Sequence, residues 1–74
     1  MRSSGMEAIQ VQVNGERKEL CAGMTVRELL EHLGLNPGRV AIEYNLAILP
    51  KAEWEKTCVA AGDRLEIVQL VGGG

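Results

Sequence analysis

The chain has no phenylalanine and only one tryptophan and one tyrosine in 74 residues, so its core must be built from aliphatic side chains. Base stacking on aromatic platforms, a common way of holding single-stranded nucleic acid, is correspondingly disfavoured. A surplus of positive charge is missing too. Eight Lys and Arg against ten Asp and Glu give a net charge of −2, which argues against a phosphate-backbone ligand and makes a basic protein surface the easier partner. No run approaches the ~18 apolar residues of a membrane span, and the first residues lack the apolar stretch of a secretory signal. The expectation is a cytoplasmic chain that engages neither nucleic acid nor membrane. Cys21 and Cys58 form no C-x-x-C pair, and the chain holds a single histidine. This points away from a metal site or a disulfide scaffold and predicts two buried free thiols.

What is present suits one small domain. The composition is 46% hydrophobic and 24% charged, too apolar for a disordered chain, and the length leaves little room for a second core. Residues 1–5 are polar and precede a second methionine, Met6. Residues 1–6 are therefore read as a flexible N-terminal extension, an alternative start or a non-native addition. Residues 7–71 form the domain and residues 72–74 a flexible Gly-Gly-Gly tail.

The domain reads as alternating short elements. Ile9, Val11 and Val13 alternate with Gln10 and Gln12, the period of a half-buried strand. Asn14-Gly15 follows, a dipeptide that accepts the two positive φ angles of a type I′ hairpin turn. Residues 16–20 return as a polar edge strand whose charges discourage edge-to-edge aggregation. Thr25-Val-Arg-Glu28 is a capping box, and Val26, Leu29, Leu30 and Leu33 make one apolar helical stripe ended by Gly34. His32, on the polar side near the helix end, is read as solvated. Asn36-Pro37-Gly38 is a turn. Val40, Ile42 and Tyr44 define a third strand, residues 47–49 a short fourth, and residues 51–55 a helical turn in which Trp54 anchors the loop under the sheet. Gly62-Asp63 reverses the chain into a last strand over residues 64–71, with Leu65 and Ile67 facing the helix. The order predicts an α+β fold: a ubiquitin-like β-grasp, a mixed sheet of four to five strands with one main helix on one face, its first and last strands parallel. Val68 and Leu70 then point to the uncovered face and suggest an apolar docking patch.

An enzyme needs a nucleophile with its base, a carboxylate pair in a cleft, or a cofactor motif, and none is convincing. The glycines before Arg39 lack the spacing and the Lys-Ser/Thr of a phosphate loop. A Cys58–His32 pair would need an electropositive, exposed setting for its thiolate. The carboxyl end remains. Glycine is the slimmest thread a polypeptide offers, and Gly72, Gly73 and Gly74 reach roughly 10 Å when extended. An α-carboxylate, with a pKa of ~3.5, is an anion at neutral pH and a poor acceptor of nucleophiles. Adenylation by an ATP-bearing partner would supply a leaving group, and a sulfur nucleophile could then make a thiocarboxylate.

Glu43-x-Asn45, Ile48-x-Pro50-Lys51, Trp54, the run from Ala61 to Val68 and the ending Val71-Gly72-Gly73-Gly74 together resemble the thiamine-biosynthesis sulfur carrier family, ThiS. The resemblance runs from about Ile9 to Gly74. It departs at Leu46 and Ala47, where the family's turn is usually more polar, and at Lys51, where Arg is common. It implies a protein co-substrate without catalytic residues or a metal of its own. Gly74 would be adenylated by a ThiF-like enzyme using ATP and Mg, converted to a thiocarboxylate with sulfur from a cysteine desulfurase or other donor, and consumed by a ThiG-like thiazole synthase. Gly72 and Gly73 would be the threading arm. The small subunit of molybdopterin synthase, a ubiquitin-like modifier and a non-catalytic β-grasp interaction module are the competing readings.

Overall fold

A computed structural model describes residues 7–70. Strand β1 (Ala8–Val13) and β2 (Glu16–Cys21) form the expected hairpin, paired from Ala8 with Cys21 to Val13 with Glu16. Asn14 and Gly15 hold φ of 53° and 82°, the left-handed pair that lets a two-residue turn follow the strand twist. Helix α1 (Val26–His32) opens on the capping box: the Glu28 N–H donates to Thr25 Oγ1 at 3.1 Å, and the Thr25 N–H to Glu28 Oε1 at 3.0 Å. Two more amides of the first turn donate to backbone carbonyls outside the helix, Val26 to Thr57 and Arg27 to Trp54. The segment around Trp54 thus satisfies donors that the helix itself cannot. Leu33 caps the other end, and Gly34 follows at φ 75°.

Strands β3 (Val40–Tyr44), β4 (Ala47–Ile48) and β5 (Arg64–Gln69) complete a five-stranded sheet in the order β2-β1-β5-β3-β4. β5 lies parallel to β1 and antiparallel to β3. The helical crossover supplies the length a parallel pair requires. Val11, Val13, Leu20, Ile42, Leu65 and Ile67 of the sheet and Val26, Leu29 and Leu30 of α1 share one aliphatic core. Trp54, only 2% exposed, closes its end and donates its indole N–H to the Leu49 carbonyl at 3.0 Å, the anchoring role its sequence position suggested.

Two expectations, the buried thiols and the length of the last strand, need correction. Cys21 and Cys58 are both exposed, because their neighbours Leu20 and Val59 take the inward positions and alternation turns each thiol out. The expected turn at Asn36-Pro37-Gly38 is present, as a 3-10 turn over Pro37–Arg39 nucleated by Asn36 Oδ1 accepting from the Gly38 N–H at 2.9 Å. Within the described residues β5 ends at Gln69, although the Leu70 N–H still donates to the Arg39 carbonyl at 2.7 Å. Val71 lies outside the described residues.

Candidate functional site

Gly72, Gly73 and Gly74 also lie outside the described residues; the structure shows the body that carries them. β5 presents alternate residues to the two sides of the sheet. Leu65 and Ile67 are buried against α1, while Val68 and Leu70 stand 56% and 51% exposed. Register places Ala41 of β3 beside Val68 and Ile48 of β4 beside Glu43. Since side chains directly opposite share a face, Val68, Ala41 and the 69%-exposed Ile48 form an apolar zone on the uncovered side, extended by Leu70 toward the end of the strand. The sequence reading expected Val68 and Leu70 on that face, and both are exposed; it did not include Ile48, whose orientation depends on where the two-residue β4 falls in register.

Glu43 and Glu66 sit opposite each other in the β3–β5 ladder, on the same uncovered face. Like charges across a strand pair are unfavourable, and neither carboxylate has an ion-pair partner among the described residues. Their arrangement suits a cation brought from outside. At the end of β5 a groove of about 380 Å³ is lined by Leu35, Arg39, Val40 and Leu70, among others.

The start of β5 is locked to the β3–β4 turn by a polar cluster. The Tyr44 hydroxyl and the Asn45 amide both donate to the Asp63 carboxylate, which also accepts from the Ala60 N–H at 2.7 Å. Asn45 Oδ1 in turn accepts from the Arg64 N–H at 2.9 Å. Asn45 and Leu46 adopt φ of 52° and 74°, so the β3–β4 turn is held in a left-handed form by bonds to the loop that starts β5. Burial, followed by the hydrogen bond to Asp63 and its charge, pushes the Tyr44 hydroxyl up to about 12. For Asp63, burial alone would raise the pKa. The hydrogen bonds from Tyr44, Ala60 and Asn45 outweigh it and hold the carboxyl below its ordinary value.

Cys58 and His32 are not brought together. His32 and Cys58 are exposed. Cys58 bridges to Thr25 at the start of α1, whereas His32 ends the helix, about 10 Å along its axis at 1.5 Å per residue. Among the described residues no group of three or more His, Cys, Asp and Glu side chains could hold a metal ion, and no helix is long and apolar enough to cross a membrane.

One helix laid across a five-stranded mixed sheet, with its first and last strands adjacent and parallel, defines a ubiquitin-like β-grasp domain. The ThiS family model matches residues 10–74, and the chain belongs to that family. It is 33% identical over 66 residues to the sulfur carrier protein ThiS of Escherichia coli, an alignment that takes in 89% of this chain and 100% of that protein. A thiazole synthase of Paramagnetospirillum magneticum is 44% identical over 66 residues, again 89% of this chain, which spans only 20% of that longer protein. Among solved structures, the crystal structure of thiamine biosynthesis protein ThiS from Geobacter metallireducens superposes with a TM-score of 0.78 at 29% identity, over 89% of this chain and all of that one.

Proposed function

We propose that the chain is the sulfur carrier for thiazole formation in thiamine biosynthesis, with Gly74 as the residue that bears the sulfur. The observation that carries this reading is that the family match continues through residue 74, so the terminal glycines belong to the matched region. The Gly74 carboxylate attacks the α-phosphorus of ATP on a ThiF-like enzyme that supplies the Mg, and pyrophosphate leaves. A persulfide charged by a cysteine desulfurase or other donor then displaces AMP through its outer sulfur to give an acyl disulfide, a second thiol attacks the inner sulfur and leaves as the mixed disulfide, and the freed thiocarboxylate gives its sulfur to a ThiG-like thiazole synthase. That a segment similar to this chain makes up a fifth of a bacterial thiazole synthase supports that enzyme as the consumer. Gly72 and Gly73 serve as the narrow arm that enters the partner's site, where any β-carbon would widen the thread.

Val68 and Leu70 dock the activating enzyme, with Ala41 and Ile48 extending the apolar contact and Glu43 and Glu66 receiving a basic side chain. The test is intact-mass analysis after incubation with ATP, the cognate adenylating enzyme and a sulfur donor. One oxygen should be exchanged for one sulfur, located on Gly74 by fragmentation. An unchanged mass in the presence of an enzyme shown to be active on another carrier would refute the proposal.

A further inference from the structure

β1 and β5 are parallel through only two register pairs, Gln12 with Arg64 and Val13 with Leu65, because β1 turns away at Asn14. The Asn14 N–H still donates to the Leu65 carbonyl at 2.9 Å. A parallel ladder continued in register would next bring the Ile67 N–H onto the backbone carbonyl of Asn14. The side chain stands there in its place: the Ile67 N–H donates to Asn14 Oδ1 at 2.7 Å, and Asn14 Nδ2 donates back to the Ile67 carbonyl at 3.2 Å. One side-chain amide thus acts as a detached peptide unit and adds a rung to the sheet across 53 positions of sequence. The same residue holds φ 53° for the turn. The two tasks need different properties, since glycine could take the angle but has no amide to offer.

We propose that Asn14 is a positioning residue for activation of the C-terminal glycine: its amide fixes β5 where it leaves β1, so that Val68, Leu70 and the chain beyond are presented to the activating enzyme in a set direction. This inference rests on the carrier reading above. On its other side the end of β5 is held by β3 and by the Leu70 bond to Arg39, whereas on the β1 side the last holding contact is Asn14. A docking strand fixed on both sides has less freedom to lose on binding. The reacting carboxylate lies beyond it, so loss of the rung weakens capture without altering the chemical step.

Two variants of the full chain separate the roles. Asn14→Gly keeps the turn angle at no steric cost and deletes the amide. Asn14→Asp keeps an acceptor for the Ile67 N–H and loses the donor. In Asn14→Gly, amide exchange at Ile67 should accelerate about tenfold relative to Val11, the scale of losing modest hydrogen bonds, with Asn14→Asp between it and the parent. The KM for the carrier in the adenylation reaction should rise about three- to tenfold with kcat unchanged, the signature of lost binding. Unchanged Ile67 exchange would overturn the rung. Faster exchange with an unaltered KM, or a fall in kcat alone, would overturn the positioning role. Should Asn14→Gly fail to fold, Asn14→Asp carries the same test. A parent chain that is not adenylated at all sinks the carrier reading and the positioning role with it, and the exchange data still decide the rung, so the failures are told apart.

Discussion

Along β5 and the residue that follows it, Leu65 and Ile67 on the helix side are 0% and 7% exposed, while Val68 and Leu70 meet no second layer among the described residues. Both pairs are aliphatic, and folding uses only one of them. The buried pair closes a core shared with Val26, Leu29 and Leu30. The outer pair contributes nothing that a polar residue could not, because a strand with one solvated face is stable with alternate polar side chains. An apolar zone on the wet side, beside a facing pair of carboxylates, is the surface that the docking proposed above would cover.

Substitution on each side should break this symmetry in opposite ways. Leu65→Ala should cost about 2–5 kcal/mol of stability through lost burial and the cavity left behind, read from denaturant unfolding. A cost near that of a surface change would show that the core does not close on β5. Val68→Asp should move stability by less than about 0.5 kcal/mol yet weaken binding to the adenylating enzyme about tenfold, or ~1.4 kcal/mol. Calorimetric titration giving an affinity equal to the parent's would remove the uncovered face from the docking reaction.

The smallest effect belongs to the border between the two sides, where Tyr44 faces inward but sends its hydroxyl to Asp63. A tyrosine titrates near pH 10 when unfolded, and here the hydroxyl is held up to about 12. Its protonated form therefore contributes stability that is complete below pH ~10 and lost as the pH climbs from there toward 12. Asp63 works in the other direction. Its carboxyl is held low, so its contribution is present at neutral pH and fades as the pH falls below ~4. Tyr44→Phe should flatten the alkaline limb of a melting-temperature profile and weaken the acid limb. An alkaline limb identical to the parent's would assign that loss to another group.

Most of the fold could be read from the chain because its signals are local. Strand alternation, the Asn-Gly turn and the Thr25–Glu28 box each involve residues within a few positions of one another. Assigning the thiols to the core followed the general habit of cysteine and overlooked that Leu20 and Val59 had already claimed the inward positions beside them. The second job of Asn14 was invisible for a different reason: its partner Ile67 lies 53 residues away, and a turn residue gives no local sign that its side chain is engaged elsewhere. The Tyr44–Asp63 clasp, spanning 19 positions, escaped in the same way. For the candidate site, the outward face of β5 was legible from period two alone, whereas the roles of Ile48, Glu43 and Glu66 depended on cross-strand register.

Trp54 is the chain's only tryptophan, and it is packed at the end of the core with its indole N–H bound to a backbone carbonyl. The molecule therefore carries its own fluorophore. Emission from that one ring follows the integrity of the body without any label. Unfolding can thus be watched in the native chain through an optical signal that comes from one place in the core.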